Sequence, residues 1–313
     1  MRRVFRAVAM AALAAGAPAL SLWFIGHSAT AAIPPPGVMV EAGGLRLHAV
    51  CAGAGEGILL IHGNPGSYLS WTDTVMPALA GRHRVCAVDR PGHGFSERGG
   101  ALADSVEGQT RLLRAAAQGL GLGRPVLVGH SWGGAAALAY ALHFPDEVAG
   151  LALLGTVAYP DDTGFGEGAE RIALHPVIGP VAVHTVGPFL ARPLLDRSLA
   201  LSFAPAPVPA AYRDRVVPAW ARPDVLRAIS ADNAALTPGL NAMVPRYAEI
   251  RAPAELLAGD ADRLVSPRRH SFRLQRALPR AALTRLAGAG HELHHTHTAL
   301  VVETISALRG RPL

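Results

Sequence analysis

The chain has 313 residues, half of them hydrophobic, with 34 glycines, 25 prolines and a net charge of +6. That length can bury one large core, or a core carrying an inserted lid. All 29 basic residues are arginine, and they are scattered without a basic stripe, so no nucleic-acid partner is expected from the charge.

The N-terminus carries the first signal. Arg2, Arg3 and Arg6 precede an uncharged run from Ala7 to Ile25, followed by Ala29-Thr30-Ala31 and Pro34-Pro35-Pro36. A basic start, an apolar stretch and small residues compose an export signal. The run exceeds the ~7–15 residues of a cleaved signal and approaches the ~20 that cross a bilayer, yet Pro18 interrupts it. Residues 1–36 are therefore expected to be a signal peptide or an N-terminal membrane anchor with a proline-rich linker. Arg2-Arg3-Val4-Phe5 suggests a twin-arginine signal, but Arg6 stands where an apolar residue is wanted. Either way the body should begin near Gly37 and be exported, as a membrane-anchored, periplasmic or secreted protein.

From Val38 onward short apolar strands alternate with helical segments. Val38–Glu41 and Leu45–Cys51 flank Gly43-Gly44 as a hairpin, and Ile58–Ile61 reads as a parallel strand buried on both faces. A helical stretch around Tyr68–Leu79, a strand at Val85–Val88, a helix from about Asp104 to Leu120 and a strand at Val126–Val128 follow. The helix Gly133–His143 and the strand Leu151–Leu154 continue the rhythm, which breaks at Tyr159 and resumes near Pro253. Beyond it come Ala254–Leu257, a helix at Ser266–Leu278, Ala282–Leu286, and a last helix from about Thr298 to Leu308. The alternation predicts an α/β protein with a mostly parallel sheet flanked by helices. Residues 37–157 and 249–313 should form the core, and the proline-rich, strand-free residues 158–248 an inserted helical cap. Cys51 and Cys86 lack C-x-x-C spacing and are too few for a disulfide framework. They read as two small buried side chains, and whether they pair stays open.

Gly129-His130-Ser131-Trp132-Gly133-Gly134 fits G-x-S-x-G between a strand and a helix, the context that motif requires. The turn would lift the Ser131 hydroxyl from the sheet edge beside a helix N-terminus. A serine needs a base and a group that orients the base. Gly259-Asp260-Ala261-Asp262 ends one strand with two carboxylates, each of which could simply be a turn residue, and Gly290-His291 follows the last strand. Ile61-His62-Gly63-Asn64-Pro65-Gly66 supplies a loop whose Asn64 N–H, with that of Trp132, could hold an oxyanion.

These motifs, together with Asp89-Arg90-Pro91-Gly92-His93-Gly94, resemble the α/β-hydrolase superfamily over about Val38–Leu308. The resemblance implies an α/β-hydrolase fold with Ser131, Asp262 and His291 as catalytic triad, Asn64 and Trp132 as oxyanion hole, no cofactor and no metal. It favours Asp262 over Asp260, because the acid ends the family's G-x-x-D pattern. Asn64 with Trp132 also resembles haloalkane dehalogenases, whose asparagine and tryptophan hold the departing halide, and epoxide hydrolases share the tryptophan. Both use an aspartate nucleophile. A serine there would form an ether that water does not readily cleave, so a small ester-like substrate is expected instead. Carbon–carbon bond hydrolysis or cofactor-free haloperoxidation on the same triad, and a catalytically silent binding module, are the alternatives.

His291-Glu292-Leu293-His294-His295 also satisfies H-E-x-x-H, a zinc-hydrolase pattern when it lies on a helix. The preceding glycine-rich loop, Gly288–Gly290, argues against such a helix. His291 is therefore expected to be the base, with Glu292 near the pocket rim and His294, His295 and His297 on the start of the last helix.

Overall fold

The computed structural model describes residues 35–160 and 167–309. The expected export signal or anchor falls on residues outside these. Among the described residues no helix is long and apolar enough to cross a membrane.

The chain opens with the antiparallel hairpin β1 (Val38–Ala42) and β2 (Leu45–Ala52), then β3 (Gly57–Ile61). The helical stretch after β3 is two short helices, α1 (Leu69–Thr72) and α2 (Val75–Ala80), ahead of β4 (Arg84–Val88). The next expected helix is split: a 3₁₀ turn at Ala101–Asp104 precedes α3 (Val106–Gly119). The break falls at Ser105, whose side chain accepts the Gly108 N–H at 3.0 Å as an N-cap. There follow β5 (Val126–His130), α4 (Trp132–His143) and β6 (Gly150–Leu154).

Between β6 and β7 the described residues hold only helices: α5 (Glu167–Leu174), α6 (Ile178–Thr185), α7 (Gly187–Phe203), α8 (Ala210–Trp220), α9 (Pro223–Met243) and a 3₁₀ turn at Val244–Glu249. The core resumes with β7 (Ala254–Gly259), α10 (Ser271–Ala277), β8 (Ala281–Leu286), α11 (Leu293–Thr296) and α12 (Thr298–Arg309).

The eight strands form one sheet in the order β1-β2-β4-β3-β5-β6-β7-β8, parallel from β4 onward. Alternation along each strand divides its side chains between two cores. Leu59, Ile61, Val88 and Leu127 pack with α3 and α4, whereas Ile58, Leu60, Ala87 and Val128 pack with α1, α2 and α12. Burial on both faces explains why these strands read as continuous apolar runs. Leu195, Leu199, Phe203, Tyr212, Val216 and Trp220 make a separate cluster among α7 and α8.

Cys51 and Cys86 are not independent side chains: they face each other across β2 and β4 and form a disulfide. The strand order creates this pairing, because β4 lies beside β2 rather than at the sheet edge.

Candidate active site

Ser131 sits in the single-residue turn between β5 and α4 with φ 53°, the one non-glycine described residue with positive φ. That conformation costs an ordinary side chain about 1–3 kcal/mol and persists only where its surroundings hold it. Here they do. The Ser131 N–H donates to Leu154 O at 3.0 Å, and Ser131 O accepts from Gly134 N and Val157 N at 3.0 and 3.2 Å. Gly133 is required next to it, since a Cβ there would lie 2.2 Å from Ile61 O.

Asp262 follows β7 and His291 follows β8, so both emerge from the same sheet edge as Ser131. His291 Nδ1 and Asp262 Oδ2 are 2.7 Å apart. The other Asp262 oxygen accepts the Leu264 and Val265 N–H groups, both at 2.9 Å. Three bonds thus fix the carboxylate. Burial resists charge on His291, but the charge and hydrogen bond of Asp262, with the charge of Glu292 behind them, lift its pKa above the ordinary histidine value. Burial would raise the Asp262 pKa, and His291 and the two backbone donors outweigh it and hold it low. The His291 ring lies against Gly155, the residue after the Leu154 carbonyl that anchors Ser131. Asp260 does different work: its Oδ1 accepts the Gly288 N–H at 2.6 Å and ties the β7 and β8 loops together.

Trp132 is the first residue of α4, so its N–H has no partner within the helix. Asn64 lies three residues beyond β3, in the loop that places Gly63 against the Ser131 Cβ. The two side chains, however, turn away into α9. Asn64 Nδ2 donates to Ile229 O at 3.0 Å and Asn233 Oδ1 at 2.7 Å, and Trp132 Nε1 donates to Asp232 O at 3.1 Å. The donor pair that resembles a halide site is therefore engaged by one helix.

That helix brings in a residue no sequence motif indicated. Asp232 is wholly buried and accepts from Arg90 Nη1, His93 Nε2 at 2.9 Å, Arg98 Nη1 at 2.9 Å and Gln109 Nε2 at 2.7 Å. Arg90, itself fully buried, donates to His62 O and Gly63 O and lies 4.0 Å over the Trp132 ring. Burial opposes a charged Asp232, but Arg90, His93 and Arg98 hold its pKa far below the carboxylate range. Its partners lie 123 to 142 residues away in sequence, so no local pattern could have exposed it.

The histidine run divides as follows. His291 turns to Asp262 and lies outside α11, which starts at Leu293. His294 and His295 are on α11 rather than on the last helix, and His297 falls between the two helices. Glu292 is not at a rim: its side chain is 12% exposed and lies 3.5 Å from His294 Nε2. Among the described residues the group able to hold a metal ion is His130, Glu292 and His294, with ligating atoms within 4.8 Å of one another, a different set from the H-E-x-x-H histidines. His130 Nε2 lies 3.2 Å from His291 O, to which its N–H donates, so that nitrogen already has a partner. A concavity between α3 and α9 runs past Arg98, Asp104, His143 and Arg246, and includes none of Ser131, Asp262 or His291.

A strained serine at a strand-to-helix turn, with an Asp–His pair at the ends of two later parallel strands, defines a nucleophile-elbow site on a doubly flanked sheet. The chain belongs to the alpha/beta hydrolase fold family, which matches it across residues 57–298. It is 40% identical over 123 residues to the 2-hydroxy-6-oxo-2,4-heptadienoate hydrolase of Pseudomonas putida, covering 39% of this chain and 45% of that one. It is 34% identical over 133 residues to haloalkane dehalogenase 2 of Mycobacterium tuberculosis, covering 42% and 46%. The matches span about half the length of these curated relatives. Among solved structures, an alpha/beta hydrolase fold protein from Burkholderia ambifaria superposes with a TM-score of 0.73 at 23% identity, over 87% of this chain and 98% of that one.

Proposed function

We propose that the protein is an exported serine hydrolase that cleaves carboxylic esters through an acyl-enzyme. The observation that carries this reading is the 2.7 Å His291–Asp262 bond, its carboxylate fixed by two further N–H groups, at the same sheet edge as the strained Ser131. Ser131 Oγ attacks the ester carbonyl while His291 Nε2 takes its proton, and Asp262 holds the Nδ1–H tautomer and stabilises the imidazolium. The Asn64 and Trp132 backbone N–H groups receive the oxyanion. The alcohol leaves with the proton from His291, and water then releases the acyl group by the same route. Residues 158–248 act as a cap over this edge and shape the pocket.

Two observations favour an ester over a halide. The nucleophile is a serine, and the Asn64 and Trp132 side-chain donors are occupied by α9. The Cys51–Cys86 disulfide supports export, since such bonds persist in oxidising compartments and are rare in the cytosol. A fluorophosphonate should label the folded protein once, at Ser131, and a p-nitrophenyl ester panel should be turned over. Labelling that persists in Ser131→Ala would overturn the serine mechanism. A second reading, carbon–carbon bond hydrolysis, is favoured by the Pseudomonas putida relative. It would show as turnover of a 6-oxo-dienoate well above that of any ester in the panel.

A further inference from the structure

The large apolar side chains left exposed are concentrated on and beside α6 and α7. Val177, Val181, Val186, Phe189, Leu190 and Leu194 are each 50–73% exposed. Helix α7 is apolar on two sides. Leu195, Leu199 and Phe203 pack inward against Tyr212 and Trp220, while Val186, Leu190 and Leu194 recur every fourth residue on the outer side. A helix that is hydrophobic all round is ordinarily buried, and a soluble body rarely leaves so many large apolar groups together in water.

The charge around this face selects its occupant. From Arg171 to Leu195 there is no Asp or Glu, whereas Arg171 and Arg192 lie in the stretch and form no ion pair among the described residues. The nearest carboxylate before it, Glu170, turns inward to Asn233 at 2.7 Å. Asp196, next along α7, is taken up by Arg213 at 2.8 Å, so the exposed Phe and Leu lie among arginines with no unpaired acid, the pattern of an element in the headgroup region of an anionic bilayer. The apolar run Ala7–Ile25 is separated from Pro35 by nine residues, a tether of about 30 Å at full extension.

We infer that the outer face of α6–α7 seats on an anionic phospholipid bilayer, and that the substrates are long-chain amphiphilic esters drawn from that surface. Helix α7 links the face to the site. Its last turn gives Ser202 O to the His291 N–H at 2.9 Å, while the Ser202 hydroxyl donates to Leu199 O at 2.8 Å. The face and the loop of the base thus share one helix, Ser202 lying eight residues, about 12 Å of helix, beyond Leu194. The substrate half of the inference rests on the ester-hydrolase reading; the seating does not.

The test uses the full chain. In Leu190→Trp the new indole, read as a difference from wild type, should shift to the blue on adding phosphatidylglycerol vesicles and be quenched by brominated lipid, with little response to phosphatidylcholine. The triple variant Phe189→Ser, Leu190→Ser, Leu194→Ser should hydrolyse p-nitrophenyl palmitate carried in phosphatidylglycerol vesicles about 10-fold more slowly or worse. Its rate on soluble p-nitrophenyl acetate should stay within about twofold of wild type, because exposed positions carry little folding stability. An introduced indole already shielded before vesicles are added would overturn the inference, with size-exclusion chromatography telling a second copy from the chain's own N-terminal run. Equal slowing on both esters, or on neither, would overturn it too. Failure to cleave any ester, with the lipid quenching intact, would sink the ester reading and leave the seating standing.

Discussion

Helices α9 and α7 leave the same inserted stretch and are held in opposite ways. Helix α9 is fastened to the core by buried polar groups: Asp232 gathers Arg90, His93, Arg98 and Gln109, and the neighbouring carbonyls and Asn233 take the Trp132 and Asn64 side chains. Helix α7 makes its main contacts through an apolar stripe and leaves the opposite side to the surroundings. The directional bonds fix one position and permit no other, because a buried charge without its partner is prohibitively unfavourable. The apolar stripe fixes depth but leaves the outer face open to another phase. A single insertion thereby combines a rigid wall for the site with a surface that can meet a bilayer.

The largest effect should come at the rigid side of this contrast. Asp262→Asn should lower kcat by about 10⁴-fold with KM little changed, measured on p-nitrophenyl butyrate, since the wrong imidazole tautomer faces the serine. Asp260→Asn, which loosens only the Gly288 loop, should cost far less. The reverse ranking would mean that Asp260 is the orienting acid.

Next is the clamp itself. Asp232→Ala leaves Arg90 buried and unpaired, and should destabilise the protein by about 3–5 kcal/mol in urea unfolding. In the folded fraction it should lower kcat more than it raises KM, as the Trp132 and Asn64 loops lose their common support. A variant as stable as wild type would erase the distinction between the two helices.

Smaller changes should follow from pH. Burial holds the His62, His93, His130 and His294 pKa values below the ordinary one, and that of His295 at about 4. The unfolded chain therefore binds more protons than the native one, so their stability contribution is complete above about pH 6.5 and is lost as pH falls below it. The Tm should drop by several degrees between pH 7 and 5. His291 runs the other way. Its raised pKa places the acid limb of kcat/KM above the ordinary histidine value, and Asp262→Asn should move that limb to lower pH. An acid limb unmoved by the substitution would detach the limb from His291.

The smallest effects belong to the open side and to metal removal. Leu194→Ser should change stability by no more than about 0.5 kcal/mol in the absence of membranes. Exhaustive chelation should leave esterase activity unchanged, since the proposed mechanism takes its nucleophile from Ser131 and uses no metal-bound water. Activity lost on chelation and restored by zinc would replace Ser131 with a metal-bound water as nucleophile.

The part of this organisation that is legible in sequence is the part written in local signals. The strand runs, the glycine-flanked Ser131 turn and the two strand-end positions of Asp262 and His291 all declare themselves within a few residues. Element edges are less legible: the helix expected at Ser266–Leu278 is turn until His270, because Pro267 and the Asp262 loop hold the chain first. The Cys51–Cys86 bond has no local signature, because it depends on the non-consecutive neighbours β2 and β4. The burial of Glu292 is hidden for a similar reason. Its surroundings are made by Ser202, far earlier in the chain, where α7 closes over the His291 loop. Asp232 sits within an alanine-rich helical stretch and looks like any exposed acid until the fold surrounds it.

The clamp also sets an order on biosynthesis. When Arg90, Gln109 and Ser131 leave the ribosome, the carboxylate that lets Arg90 be buried has not been made, and His291 is further still. A nascent chain ending before α9 lacks the counter-ion of Arg90, so burying that cation at the sheet edge is unfavourable until α9 arrives. The Arg90 site is therefore completed only once Asp232 has been made, which ties the closing of this sheet edge to a helix from the second half of the chain.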